Sequence, residues 1–352
     1  MLLVPSADEV GGDQTRSAWS ERSERSNSMV QLEERHTRGW DVLRLSTDAL
    51  TAEVIPGLGG TVTSLIRHGD GAELLWSPPW GLRARGSRSL PGSPEAQMID
   101  SLTGGWQTLF PNGGDSVFMH GVDWGYDGEA RLTWMDWDFT GSSVRMTGRL
   151  TRAPFEITKI ISASDHEITV GETLRNVGKE RMEIMWGSQL MLGGALVGRE
   201  TIVDAAAAVV RPDPQISPGT SYDDLMPWPR SHGSESVINL GLLPEPDTSE
   251  TRLAYLSDFS RPLISISRPS HPVGIELEWD AEAFPYVWYS MEAGGRSGFP
   301  WYRTGYFLSL TPSTSWPAHG VYDARRISNS TVLIDPSEVL TSYVALRVQP
   351  IN

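Results

Sequence analysis

Apolar and polar side chains alternate one for one along much of this chain, and turns rich in glycine and proline cut the alternation into short runs. Val144, Met146 and Leu150 are interleaved with Arg145, Thr147 and Arg149, the two-residue period of a strand with one buried face. Ile275–Glu276–Leu277–Glu278–Trp279 and Tyr306–Phe307–Leu308–Ser309–Leu310 repeat the pattern. Further strands are expected over 42–45, 52–55, 155–161, 168–176, 182–186, 263–267 and 343–348. Pro56–Gly57, Gly69–Asp70–Gly71, Asn112–Gly113–Gly114, Asn176–Val177–Gly178 and Gly294–Gly295 mark turns between them, where glycine supplies backbone conformations that other residues resist. No long stretch carries the 3.6-residue period of an amphipathic helix. The sequence therefore predicts an all-β fold, a large antiparallel β-sandwich.

A length of 352 residues fits one large or two medium domains. No internal stretch has linker composition, so 29–352 is expected to be one domain. Residues 1–28 read as a disordered tail, because Glu21–Arg22–Ser23–Glu24–Arg25–Ser26–Asn27 has no periodic apolar face to offset its ordering entropy. Met29 is an alternative start of translation. Met1–Leu2–Leu3–Val4–Pro5 is too short for the apolar region of a signal peptide. The Pro- and Ser-rich stretch 211–245 reads as a long excursion over the surface.

Lys+Arg 29 against Asp+Glu 44 leaves a net charge of −15. Nucleic acid and anionic membrane surfaces both require clustered basic charge, so neither is an expected partner. No run of apolar residues is long enough to span a bilayer. The absence of cysteine rules out disulfides, thiolate metal sites and a cysteine nucleophile. A cytoplasmic location is expected, and no cofactor. There is no phosphate-binding glycine loop ending in Lys–Ser/Thr and no His–Glu–x–x–His. Ser188, in Gly187–Ser188–Gln189–Leu190, lacks the Gly–x–Ser–x–Gly elbow. The seven histidines, at 36, 68, 120, 166, 232, 271 and 319, show no metal-ligand spacing.

Fourteen tryptophans point toward a different chemistry. The densest region runs Gly104–Gly105–Trp106–Gln107–Thr108–Leu109–Phe110–Pro111–Asn112–Gly113–Gly114–Asp115, then His120–Gly121–Val122–Asp123–Trp124–Gly125–Tyr126–Asp127–Gly128–Glu129. It is too rich in glycine and polar groups for a core strand. Aromatic faces beside carboxylates and amides suit a sugar, whose C–H face stacks on a ring while its hydroxyls pair with groups that both donate and accept. The alternative is a glycine-rich loop whose aromatics cap one end of the sandwich. Met185–Trp186–Gly187–Ser188–Gln189 and Trp288–Tyr289–Ser290–Met291–Glu292 carry similar mixtures where strands meet loops, although aromatics on strands usually serve the core. Arg83 and Arg85 could clamp a hydroxyl pair or balance nearby acids.

Taken in order, these segments resemble the galactose mutarotase-like superfamily, specifically bacterial aldose 1-epimerase-like proteins. The resemblance covers roughly residues 43–348. It rests on Val54–Ile55–Pro56–Gly57–Leu58–Gly59–Gly60–Thr61, Glu73–Leu74–Leu75–Trp76, Gly104–Gly105–Trp106–Gln107, Phe110–Pro111–Asn112, Arg152–Ala153–Pro154–Phe155, Glu172–Thr173–Leu174–Arg175–Asn176–Val177–Gly178 and Met185–Trp186–Gly187. It implies a sandwich with a sugar cleft across one face, and interconversion of α and β anomers by acid–base ring opening. The family's catalytic positions are substituted here. Its His–Gly–Glu–Ala motif reads Asp127–Gly128–Glu129–Ala130, Ser188 and Gln189 stand where a histidine is common, and the late Glu–Pro reads Thr311–Pro312. Gln and Thr do not titrate near neutrality.

The expected ligand is accordingly a monosaccharide or sugar derivative. Trp106, Asn112, Glu129, Trp186, Gln189 and, less centrally, Arg85 are the expected binding residues. Asp127 and Glu292 are the first choice for acid and base, with His120 as a further candidate. Two carboxylates in one aromatic-lined cleft can be driven to different pKa values. The competing readings are a carbohydrate-binding or sensing protein without turnover, and lyase or hydrolase chemistry in the same cleft.

Overall fold

The computed structural model describes residues 29–87, 91–233, 235–271 and 273–349; the tail expected over 1–28 lies outside them. Seventeen strands join in one sheet, every ladder of it antiparallel. Strands form where the two-residue period is clearest. Phe155–Ala163 alternates buried and partly exposed side chains at every step, and Ser143–Arg149 and Val273–Trp279 follow the same rule closely.

The sheet divides into two runs. One orders Asp136–Phe139, Ser143–Arg149, Phe155–Ala163, Glu167–Asn176, Val339–Gln349 and Val273–Trp279. The other orders Gln31–Thr37, Trp40–Ser46, Leu50–Ile55, Thr61–Arg67, Trp106–Leu109, Gly187–Leu192, Tyr306–Ser313 and Tyr286–Ala293. Two long strands, Ile202–Pro212 and Glu250–Arg268, belong to both. The first half of Glu250–Arg268 pairs with Tyr286–Ala293 and its second half with Val273–Trp279. The bend between the halves coincides with a left-handed Asp258, φ 55°, and with a register shift between Ala205 and Ala207 on the partner strand. An irregularity of this kind lets a strand pass from one layer to the next.

Aromatic pairs close the interior between the runs. Phe110 meets Phe155 edge-on at 4.8 Å, Trp186 meets Phe284 at 4.8 Å, and Phe259 meets Trp279 at 4.9 Å. Each fully buried ring of this size contributes on the order of 2–3 kcal/mol by leaving water. The interior also holds a charge pair. Lys159 Nζ lies 3.0 Å from Glu172 Oε1 and donates to the Gly59 carbonyl at 2.9 Å. Thr108 and Trp186 Nε1 complete the carboxylate's partners.

Three local expectations are corrected. Trp106–Leu109 is a strand with all four side chains buried, not a loop. It pairs with Gly187–Leu192 on one side and meets Val62 on the other, and its polar side chains find partners in Gln189 and Glu172. The strand expected over 182–186 ends at Ile184, and Met182–Ile184 pairs with Val332–Ile334 apart from the main sheet. The stretch 211–245 is anchored more deeply than a surface excursion, since Asp213, Ser217 and Ser231 are buried. The helix Pro94–Ser101 starts where Ser93 Oγ accepts the Ala96 N–H, with Pro94 in its first turn. Among the described residues, no helix is long and apolar enough to cross a membrane.

Candidate functional site

One face of the second run forms the floor of a cleft, and the two-residue strand period decides which side chains reach it. Tyr306–Ser313 sends Phe307, Ser309 and Thr311 to this face, Tyr286–Ala293 sends Trp288, Ser290 and Glu292, and Gly187–Leu192 sends Gln189 and Met191. Cross-strand register sets them in rows. Ser309 lies between Met191 and Ser290, and Leu253 continues that row. Phe307 opposes Glu292, and Thr311 opposes Trp288. Two glycines allow close approach. A Cβ on Gly113 would sit 2.8 Å from Trp288, and one on Gly305 would sit 2.8 Å from Glu292 Cγ.

The walls come from distant segments. Gly114, Asp115, Tyr126 and Asp127 line one side, Gln215, Ile216, Ala318 and His319 another, and Glu95, Met98 and Ile99 of the short helix close an end with Trp301 and Arg296. The cavity measures about 380 Å³, within the range of small-molecule sites, roughly 300–1,000 Å³. Trp76, Trp301 and Phe307 pack together beneath the helix, so that end of the cleft rests on a rigid aromatic cluster.

Asp127 is buried with a left-handed backbone, φ 59°, a conformation that aspartate tolerates better than most side chains. Its Oδ1 accepts the Gly114 N–H at 2.8 Å, while its own N–H donates to the Gly114 carbonyl at 2.9 Å. Burial pushes the Asp127 carboxyl up to about 6, and the Gly114 hydrogen bond and the Arg131 charge limit the rise. Glu292 is buried and held on both oxygens. Thr251 Oγ1 donates to Oε2 at 2.8 Å, the Arg296 N–H donates to Oε1 at 3.0 Å, and Arg296 Nε lies 3.6 Å from Oε2.

Gln107 Nε2 donates to Gln189 Oε1 at 2.7 Å, which leaves the Gln189 amide nitrogen as that side chain's donor. Ser309 Oγ lies buried on the floor without a hydrogen-bond partner. A buried hydroxyl in that state costs free energy, and a polar ligand in the cleft would remove the cost. Among the described residues, no three His, Asp or Glu side chains are grouped to hold a metal ion.

The structure brings Asp127, Gln189 and Glu292 into this cleft and places the other expected site residues elsewhere. Trp106 and Trp186 are buried in the core, their indole nitrogens bonded to Ser188 Oγ and Glu172 Oε2. Asn112 is fully buried and braces the loop, donating to the Asp115 and Gly125 carbonyls and accepting the Val321 N–H. Glu129 accepts the backbone N–H groups of Thr151, Arg152 and Ala153, so it ties one loop to the next. Arg85 stacks over Trp134 and Trp40, at 4.6 and 5.9 Å. His120 stacks on Trp124 and lies 3.9 Å from Glu180, outside the cleft lining. Thr311, noted in the sequence only as a substitution, sits on the floor.

Sequence reasoning passed over His319, Asp213, Asp115 and Tyr255. His319 Nε2 meets Asp213 Oδ2 at 2.8 Å and its Nδ1 lies 3.5 Å from Asp115 Oδ2. Tyr255 donates to Asp213. Burial alone would lower the imidazole pKa, but Asp115 and Asp213 reverse the effect and push it up to about 9. No short motif marks this cluster, because His319 and Asp213 stand 106 positions apart in the chain.

No family model matches the sequence, and no curated protein matches it either. Solved structures do. The Synechocystis protein Slr1438 superposes with a TM-score of 0.61 at 17% identity, over 91% of this chain and 96% of its own. A provisionally assigned aldose 1-epimerase from Klebsiella pneumoniae gives 0.66 at 12% identity, over 94% and 86%. A galactose mutarotase-like protein from Lactobacillus casei gives 0.60 at 16% identity, over 88% and 100%. Agreement across nearly whole chains at such low identity is agreement of architecture, and the chain has the galactose mutarotase-like fold.

Proposed function

We propose that the cleft binds a monosaccharide or a related sugar derivative, and that interconversion of its α and β anomers is the reaction the site supports. The observation that carries this reading is the company Asp127 keeps. A buried carboxyl poised near neutrality shares one cavity with the rings of Trp288, Trp301 and Tyr126 and with polar groups at Gln189, Ser309 and Glu292. The rings offer apolar surface to the C–H face of a sugar, and the amide, hydroxyl and carboxylate pair with its hydroxyls.

Ring opening needs a base at the anomeric hydroxyl and an acid at the ring oxygen. Above pH 6 Asp127 is ionised and can take the hydroxyl proton. Glu292, with both oxygens already accepting, is built to hold sugar hydroxyls in place. Side chains alone carry these proton transfers, and the setting we propose is cytoplasmic carbohydrate metabolism. A second reading, sugar binding without turnover, is favoured by Gln189 and Thr311, which put non-titrating groups where the resemblance leads one to expect an acid and a base.

Polarimetry on freshly dissolved α-glucose and α-galactose, with calorimetry beside it, separates the two. Acceleration that is lost in Asp127→Asn supports the isomerase reading. Binding without acceleration supports the second, and the absence of binding by either sugar or by a panel of modified sugars sinks both.

A further inference from the structure

We infer that His319 is the proton donor of the cleft, its Nδ1–H delivered to the sugar ring oxygen and its ring held in place by Asp213 from behind. This inference rests on the sugar-cleft reading above and adds the residue that reading leaves unassigned.

Geometry comes first. His319 is one of the cavity-lining residues, on the loop that follows Tyr306–Ser313, and its side chain is 10% exposed. Asp213 is fully buried behind that wall and takes Nε2 at 2.8 Å. Tyr255 donates to the same Asp213 oxygen and accepts the Ala318 N–H at 3.1 Å, so the backbone beside His319 is fixed by the residue that fixes its carboxylate. The Gln215 N–H donates to the other Asp213 oxygen at 2.8 Å, and Tyr222 packs near the pair. On the open side, among the described residues, the charged neighbour is Asp115, 3.5 Å from Nδ1 with its side chain 57% exposed. One ring nitrogen is therefore committed to a buried carboxylate, while the other carries a proton beside the cavity with a loose, water-facing neighbour. That is the arrangement of an oriented acid.

Protonation follows the same division. Asp213 is raised by burial but brought below its ordinary value by His319 and Tyr255, so it stays ionised and the imidazole stays charged. With His319 at about 9 and Asp127 at about 6, the interval around neutrality is where the acid is protonated and the base is not. In the forward step the Asp127 carboxylate removes the anomeric hydroxyl proton and those electrons form the carbonyl. The bond from the anomeric carbon to the ring oxygen breaks, and the ring oxygen takes the Nδ1 proton. The open-chain aldehyde rotates, and the reverse transfers close the other anomer and restore both side chains.

The rate should rise through about pH 6 as Asp127 ionises and fall through about pH 9 as His319 loses its proton. His319→Gln should lower kcat on the order of 100- to 1,000-fold and abolish the alkaline limb. Asp115→Asn, a change at an exposed side chain, should move the alkaline limb to lower pH. A readout independent of turnover is the imidazole ¹⁵N signal of His319, followed from pH 5 to 10 with and without α-galactose. The inference expects an imidazolium persisting toward pH 9 and an Nδ1 shift on sugar binding. Bound sugar with Nδ1 unmoved, or a His319→Gln enzyme with an unchanged profile, overturns the role of His319 and leaves the cleft reading standing. No sugar binding by the wild-type chain overturns the cleft reading, and this inference with it.

Discussion

Lys159–Glu172 in the sandwich interior and His319–Asp213 beside the cleft are near-buried ion pairs of similar length, 3.0 and 2.8 Å. They differ in what surrounds them. The interior pair is closed, with side chains 2% and 5% exposed and its partners completed by Gly59, Thr108 and Trp186. The pair beside the cleft is closed only at Asp213 and opens through Nδ1 onto the cavity. A closed pair fixes strand register and has no proton to exchange with a ligand. An open one keeps its charge by the same electrostatics yet leaves a proton that can move.

The largest effect should come from breaking the closed pair. Lys159→Met leaves the Glu172 charge buried and uncompensated, which typically costs about 3–5 kcal/mol. Urea unfolding should show that loss, and Lys159→Met with Glu172→Gln should recover more than half of it, because no unpaired charge remains. Sugar binding by the folded fraction should be unchanged in both variants. If the single substitution cost less than about 1 kcal/mol, the contrast between the two pairs would lose its basis.

Next in size are the pH windows of the cleft groups, which share one sign, a loss of stability as pH rises, and differ in where they fall. Folding raises the Asp127 pKa from 3.8 to about 6. The folded chain then holds that proton more tightly than the unfolded chain, so stability is greatest below 3.8 and falls as pH rises through about 6. The shift corresponds to on the order of 2–3 kcal/mol. Asp127→Asn should flatten this slope and leave the variant up to about 2 kcal/mol more stable than the parent at pH 7.5, while mutarotation is lost. His319 acts in a separate window. Its pKa rises from 6.5 to about 9, so its stabilisation is complete below 6.5 and disappears as pH rises through 9. Thermal unfolding scanned from pH 4 to 10 should show both declines in the parent and only the alkaline one in Asp127→Asn.

The smallest effect belongs to Arg85. Its guanidinium over Trp134 and Trp40 is worth about 0.5–1 kcal/mol, so Arg85→Ala should lower stability by that much and leave sugar affinity alone. A large loss of affinity would return Arg85 to the site.

These contrasts also show what was legible in the chain. Strands such as Phe155–Ala163 and Val273–Trp279 could be read because one face is buried and the other wet, which writes the period into the residues. Ile202–Pro212 could not: its Ala205–Ala206–Ala207–Ala208 centre has no alternation, and it is a strand because Glu250–Arg268 pairs along it. Trp106–Leu109 looked like a loop because its polar residues have partners that are distant in sequence. The tryptophan signal pointed to sugar chemistry through residues that serve the core, since Trp106, Trp124 and Trp186 are all buried, while Trp288 and Trp301 line the cleft. Asp127 was visible through its position in a motif. His319 had no motif and no neighbour in sequence, and only the folded chain sets it against Asp213.

The most direct test is a crystal structure of the chain soaked with α-galactose or α-glucose. The account predicts a pyranose on the floor of the cleft, its ring against Trp288, its hydroxyls on Gln189, Ser309 and Glu292, its anomeric oxygen within hydrogen-bond reach of Asp127 and its ring oxygen within reach of His319 Nδ1. A sugar bound elsewhere on the molecule, or a cleft that takes up neither sugar at concentrations that saturate other sugar sites, would contradict it.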